Sequence, residues 1–364
     1  MPFRYSGRKN STRNLFFLIV FAFILIFYFV HLGYLQYAIP QHESADEFYK
    51  HFESGRRSES LKINGSIYSR KGYFSHVVMT NRSLDKEAYL DSLEWKNFTA
   101  DRNFMRDHCG NELNIGRWTP ASSSATKICL LPLAEDRFVS QSVKVYGNWE
   151  VDIQRHLFMN IIPKHPQAAF VDIGGHLGTF SLSAAKMGRE VFTFEPSPKT
   201  FQFLSASVQV NSLQSTMHLY PVALLDKRHK CAKSRVNPTN LGGSPVIVGF
   251  KCDSESSPVA TLDDLLPVFE RRGLTEAIIK IDCEGSEPSV FIGGEKFLTQ
   301  ISVPFIQMEF SGLKRMLDNR KTERFFRLMN RLNYVPTVVG SDKLHNLLKT
   351  DYKDWPDDIN WIKT

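Results

Sequence analysis

The sequence predicts an α/β fold: an open, largely parallel, doubly wound sheet in the C-terminal part, preceded by one membrane-spanning helix. Three observations carry this expectation. From residue 145 onward, short apolar runs alternate with longer amphipathic segments, the rhythm of a parallel sheet with helices on both faces. The first of those runs ends in an acid and a glycine-rich turn, Asp172-Ile173-Gly174-Gly175-His176-Leu177-Gly178. Residues 15–38 carry no formal charge.

The N-terminal segment is read first. Residues 15–30 are LFFLIVFAFILIFYFV, without the polar stripe of a soluble core helix. Eighteen helical residues cover roughly 27 Å at about 1.5 Å each, enough for a thin bilayer. The run ends in bulky Tyr34, Leu35, Gln36 and Tyr37 rather than a small-x-small cleavage site, which favours an uncleaved anchor. Arg4, Arg8, Lys9 and Arg13 all precede it, so the N-terminus is expected in the cytoplasm and the rest in a lumen. Three acceptor sequons follow, at Asn64, Asn81 and Asn97, and none lies beyond residue 99. The expected organisation is a cytoplasmic tail over 1–14, a signal anchor over 15–38 and a glycosylated stem over 39–105. An N-terminal extension of the lumenal domain covers 106–144, and the α/β domain covers 145–364. The expectation is a single-pass, type II membrane protein of the Golgi or endoplasmic reticulum.

Charge excludes one class of partner. The net charge is +7, but removing the basic flank leaves 41 basic residues against 38 acidic ones. No nucleic-acid surface is implied. The five cysteines fit an oxidising lumen. Cys109 with Cys129 and Cys231 with Cys252 would each close a loop of roughly 20 residues, worth about 3 kcal/mol. Cys283 is left over inside an apolar strand pattern. No cysteine spacing suits zinc.

Within the domain, Ala168–Ile173, Glu190–Phe194, Met217–Val222, Ala277–Asp282 and Pro304–Phe310 read as strands. Helices are expected from Gly178, over Pro198–Val210, over Glu287–Phe297 and over Lys321–Leu332. Ligands of such sheets sit beyond the C-terminal strand ends. Gly174 and Gly178 would let a ligand approach the backbone. Asp172 is placed to orient the turn or to take an ammonium group. Glu195 ends the second strand 23 residues later, where an acid accepts hydrogen bonds from both ribose hydroxyls of an adenosine. The turn is not the GxGxxG pyrophosphate fingerprint, which tilts the nucleoside away from a dinucleotide.

These residues bring a family into view. The segments VDIGGHLGTFSL, VFTFEPSP, PVALLDK, NLGGS, VATLDDLL, IKIDCEGSEPSVFIGG and IQMEF resemble, in order, FkbM-type methyltransferases dependent on S-adenosylmethionine (SAM). The resemblance covers roughly residues 145–364 and implies a Rossmann-like, class I methyltransferase sheet. It implies that Asp172, Gly174, Gly178, Glu195, Pro196 and Asp282 bind SAM, with Glu150 in a segment that caps it. Gly175-His176 stands where family members often have Ala-Asn.

Methyl transfer from a sulfonium is an in-line displacement, so the acceptor oxygen must be aligned and its proton accepted. Asp282, Glu284, Glu287 and Glu309 are the candidate carboxylates, and His176 the candidate histidine. A divalent metal held by two or three of those acids is the alternative, which their spacing does not favour. The structural readings stand beside these: Glu284 as a helix cap, Glu287 as a first-turn acid, Glu309 as an ion-pair partner of Lys280. The expected function is O-methylation of a glycan or another secretory molecule. The alternative is a non-catalytic lumenal adaptor on the same fold. A nucleotide-sugar enzyme is disfavoured, since Asp263-Asp264 is not a DxD motif.

Overall fold

The computed structural model describes residues 89–96, 100–115, 125–229, 231–249, 252–315, 320–340 and 346–364. The chain divides into Met1–Ile67 and Tyr68–Thr364, and every described residue lies in the second unit. The expected anchor at 15–38 and the sequons Asn64, Asn81 and Asn97 lie outside the described residues. Among those residues no helix is long and apolar enough to cross a membrane.

Seven strands form the central sheet: β1 Ala169–Ile173, β2 Val191–Phe194, β3 Met217–Tyr220, β4 Glu276–Ile281, β5 Ser302–Glu309, β6 Tyr334–Val338 and β7 Asp358–Lys363. Their order is β3-β2-β1-β4-β5-β7-β6. The pairs β3–β2, β2–β1, β1–β4 and β4–β5 are parallel, while β7 runs against both β5 and β6. The chain starts in the middle, at β1, and winds outward in both directions. The switch point therefore lies between β1 and β4, and a crevice opens there at the C-terminal strand ends.

Two apolar cores cover the two faces. One face packs Val171, Phe192, Ile279 and Met308 against Phe269, Phe291, Phe297 and Phe325 of the helices Leu266–Arg272, Glu287–Ile292, Glu295–Gln300 and Arg320–Arg331. The other packs Phe170, Val191, Ile278 and Phe305 against Phe180 and Leu204 of the helices Thr179–Lys186 and Pro198–Val210. The expected helix over Glu287–Phe297 is two helices. They break at Gly293-Gly294, where a Cβ on Gly293 would lie 2.2 Å from the Leu225 carbonyl oxygen.

The described residues 89–96 and 100–108, most of them in the expected stem, belong to the folded unit. Leu90 and Leu93 of the helix Tyr89–Leu93 are buried in the first core. The Trp95 N–H donates to the Leu219 carbonyl of β3 at 2.8 Å. Disulfides join Cys109 to Cys129 and Cys231 to Cys252, and Cys283 is free. The second bond ties the base of a three-stranded antiparallel sheet formed by Ala232–Ser234, Val246–Val248 and Ser256–Ser257.

Register on the second face explains where a site forms. Side chains alternate along a strand, so each step toward the tips exposes every second residue. Phe170, Ile278, Phe305, Val191 and Met217 are aligned across neighbouring strands and form an apolar layer. Two residues further, Thr193, Asp172, Lys280, Gln307, Asn360 and Thr337 align across six strands, and all six are buried. Two further still stand Gly174, Glu195, Asp282 and the pair Glu309–Asp358. The face thus grades from apolar to polar to acidic as it approaches the crevice.

Candidate active site

A cavity of ≈ 840 Å³ lies over those strand tips, within the roughly 300–1,000 Å³ of small-molecule sites. Asp172, Gly174, Gly175, His176, Glu195 and Pro196 line one side. Asp282, Glu284, Glu309 and Glu150 line it as well. The sequence candidates thus converge on one space, with two exceptions: Gly178 and Glu287 are not among the lining residues.

Glu195 anchors the glycine-rich turn. One carboxylate oxygen accepts the His176 N–H at 3.0 Å, and the other accepts the Ser197 N–H at 2.8 Å. Burial still pushes its pKa up to about 7 against those two bonds. Each oxygen keeps a further lone pair for a ligand hydroxyl. Asp172 is 1% exposed. Its Oδ2 accepts the Ser181 hydroxyl, while its Oδ1 is buried without a partner. Burial raises its pKa, with Lys280 opposing. An orphaned buried acceptor costs about 1–3 kcal/mol, so this atom asks for a donor.

Lys280 sits beneath the floor, 5% exposed, and donates to Asp282 at 3.0 Å. Burial would lower its pKa, but Asp282, Glu150 and Asp172 outweigh that and keep it charged. The expected Lys280–Glu309 ion pair is therefore replaced by Lys280–Asp282, because Asp282 lies two residues along the same face. Glu309 instead accepts the Ser311 hydroxyl, and its Oε2 is buried without a partner. Burial and then Asp282 push its pKa up to about 9. Glu150, in a left-handed turn with φ 47°, rises to about 8 through burial, with Lys280 opposing and Asp282 adding.

Glu284 is raised by burial and Asp282, and it accepts from Arg315 at 2.9 Å. Donor oxygens of Asp282, Glu284 and Glu309 all lie within 4.8 Å of one another. That is compatible with a divalent cation, although acidic groups commonly gather without one. His176 adopts φ 47°, and its Nε2 is buried without a partner; burial lowers its pKa.

Two expectations need correction. Glu287 is 0% exposed, and its Oε1 accepts the N–H groups of Cys283 (2.8 Å) and Gly285 (3.2 Å). It holds the turn after β4 rather than facing the cavity. Gly178 lies off the cavity, whereas Gly174 lines it, and both are also required by the packing of the protein. A Cβ on Gly174 would lie 1.8 Å from the Asp282 carbonyl oxygen, and one on Gly178 would lie 2.7 Å from Leu204.

Several lining residues went unread in the sequence. Asp357 and Asp358 reach the cavity because β7 runs antiparallel, so its start meets the ends of the parallel strands. Burial and Asp282 push Asp358 up to about 6. The segment 237–246, which contains the NLGGS motif, forms the opposite wall. It is clasped by backbone bonds from Arg137 to Thr239 and from Leu241 to Glu135, both 3.1 Å.

Comparison with known proteins bears on this geometry. Residues 172–336 match the family model described as the methyltransferase FkbM domain. This supports a methyltransferase. The matched span starts at Asp172 and ends in β6, so Glu150, Asp357 and Asp358 fall outside it. No curated protein sequence matches the chain significantly. Among solved structures, the chain resembles the O-methyltransferase from Bacillus cereus in complex with SAH at 13% identity and TM-score 0.33, covering 68% of this chain and 100% of that one. P. horikoshii TYW2 in complex with MeSAdo aligns at 14% identity and TM-score 0.29, over 67% and 70% of the two chains. The precorrin-6y C5,15-methyltransferase from Geobacter metallireducens GS-15 aligns at 13% and 0.28, over 54% and 80%. Likenesses this distant leave the chemistry to be read from the site.

Proposed function

We propose that the domain transfers a methyl group from SAM to a hydroxyl oxygen of a glycan or another secretory molecule, in the lumen of the Golgi or endoplasmic reticulum. The single observation that carries this is the pairing of Asp172 and Glu195 in one cavity at the switch point. The residues present fit the cofactor. The Asp172 Oδ1 lacks a donor, which the SAM ammonium would supply. Glu195 keeps lone pairs for the ribose diol. SAM when bound supplies an electrophilic methyl on a sulfonium.

The chain's own residues do the rest. An acceptor hydroxyl held in line with that methyl would give up its proton to a carboxylate. Glu309 suits that role, with an unpartnered buried Oε2. Its raised pKa falls once a cation occupies the cavity, since an opposite charge favours the ionised form. Asp282 is held by Lys280 and serves to fix the donor. The membrane anchor rests on the basic flank and the uncharged run. The two disulfides support an oxidising compartment.

The test incubates the full chain with methyl-labelled SAM and a panel of neutral sugars. Label is expected in product, with kcat reduced about 100-fold or more in Glu309→Gln, the range for losing a general base. Transfer in Glu309→Gln at the wild-type rate would remove that residue from the chemistry.

A further inference from the structure

The cavity is rich in carboxyl groups and poor in cations. Eight carboxyl groups line it among the described residues: Glu150, Asp172, Glu195, Asp282, Glu284, Glu309, Asp357 and Asp358. Against them stand two cations, Lys280 and Arg315, and each already serves a carboxylate. Lys280 donates to Asp282 at 3.0 Å from beneath the floor. Arg315 donates to Glu284 at 2.9 Å from the rim, its side chain 64% exposed. The buried carboxyl oxygens of the lining that lack a partner are Asp172 Oδ1 and Glu309 Oε2. Asp172 is 1% exposed, so its orphaned oxygen has no solvent to turn to.

We infer that the acceptor half of this cavity excludes anionic groups, so the acceptor is a hydroxyl compound that is neutral or cationic where it enters. The inference rests on the methyl-transfer reading and adds its substrate class. A hydroxyl both donates and accepts, so it can pair with Glu309 Oε2 whether or not that carboxyl is protonated. A carboxylate, sulfate or phosphate brings acceptors only, and it meets a wall of carboxyl groups with both cations already engaged. Like-charge juxtaposition in a cleft of low dielectric suppresses the wrong partner strongly. The neutral amides Asn237 and Asn240 on the opposite wall offer polar contacts without charge.

The experiment separates binding from turnover. The full chain, saturated with SAH, is titrated with methyl glucoside, methyl glucosaminide, methyl glucuronide and methyl glucoside 6-phosphate at neutral pH. Saturation-transfer NMR reads binding, and labelled SAM reads methylation in parallel. The neutral and amino sugars are expected to bind at least tenfold more tightly than the uronate and the phosphate. Glu309→Gln combined with Asp358→Asn should narrow that gap at least threefold. Uronate or phosphate binding equal to that of the neutral sugar overturns the inference, as does failure of all four to bind. Selective binding without label in any product would instead sink the methyl-transfer reading and leave the charge selection standing.

Discussion

Gly174 and Gly188 share one backbone conformation and differ in what surrounds them. Their φ values are 83° and 79°. A Cβ on Gly188 meets nothing within 4 Å, whereas one on Gly174 lies 1.8 Å from the Asp282 carbonyl oxygen. Alanine in a left-handed position costs about 1–2 kcal/mol. The lower entropy of its unfolded chain returns roughly 0.4–1 kcal/mol. Gly188→Ala should therefore cost at most about 1.6 kcal/mol. Gly174→Ala adds the separation of β1 from β4 at the centre of the sheet. Two backbone bonds cross that point, Asp282 N–H to Ile173 and Gly174 N–H to Phe194, both 2.9 Å. At about 0.5–1.5 kcal/mol each, with lost packing beside them, the total comes to roughly 3–5 kcal/mol. Thermal unfolding of the full chain, followed by circular dichroism, checks this. With about 2–4 °C per kcal/mol, the midpoint should fall by roughly 6–20 °C for Gly174→Ala and by no more than about 6 °C for Gly188→Ala. Equal shifts would refute the reasoning, because φ alone would then set the cost.

Further outcomes follow from the same geometry. Glu150, Glu195, Glu287 and Glu309 have pKa values of about 8, 7, 7 and 9, all above the unfolded value near 4.3. The native state therefore binds more protons than the unfolded one, and stability is present in full below about pH 4 and declines through about pH 9. Urea unfolding at pH 5.5 and pH 8.5 should show a lower midpoint at the higher pH, and a flat or rising profile would contradict this. Glu287→Ala should cost about 1–3 kcal/mol by freeing the N–H groups of Cys283 and Gly285. The folded fraction should keep kcat within about threefold; a loss of 100-fold at unchanged stability would return Glu287 to the chemistry. Replacing both Cys231 and Cys252 with Ser should cost about 3 kcal/mol. Hydrogen exchange should then quicken first in the wall segment 237–246, and exchange unchanged there would argue against the staple.

The inner half of the fold was legible because parallel strands buried on both faces read as continuous apolar runs. AFVDI, VFTF and EAIIKI announce β1, β2 and β4 directly. The outer hairpin was not legible. β6 carries Pro336, which an edge strand tolerates but which breaks a strand pattern. β7 turns Asn360 inward to meet Gln307, so its apolar run is interrupted where the buried polar row crosses it. Missing β7 meant missing Asp358, whose place in the cavity depends on strand direction rather than local sequence. Asp172 and Glu195 were found because each ends a strand. Glu287 was misread because spacing along a turn does not say which side a carboxylate faces; here it folds back onto two N–H groups. Gly174 lines the cavity as its place in the turn implies, and the sequence does not show that β4 crowds it from the other side.

The central claim is that the crevice over β1 and β2 holds an adenosyl group gripped by Glu195. Calorimetric titration of SAM into the full chain and into its Glu195→Ala variant tests it most directly. The wild type should bind, and the variant should bind about 10²–10⁴-fold more weakly, the loss of two hydrogen bonds to a charged acceptor at roughly 1.5–3 kcal/mol each. An unchanged affinity in the variant, or no heat from the wild type at millimolar SAM, would contradict the account.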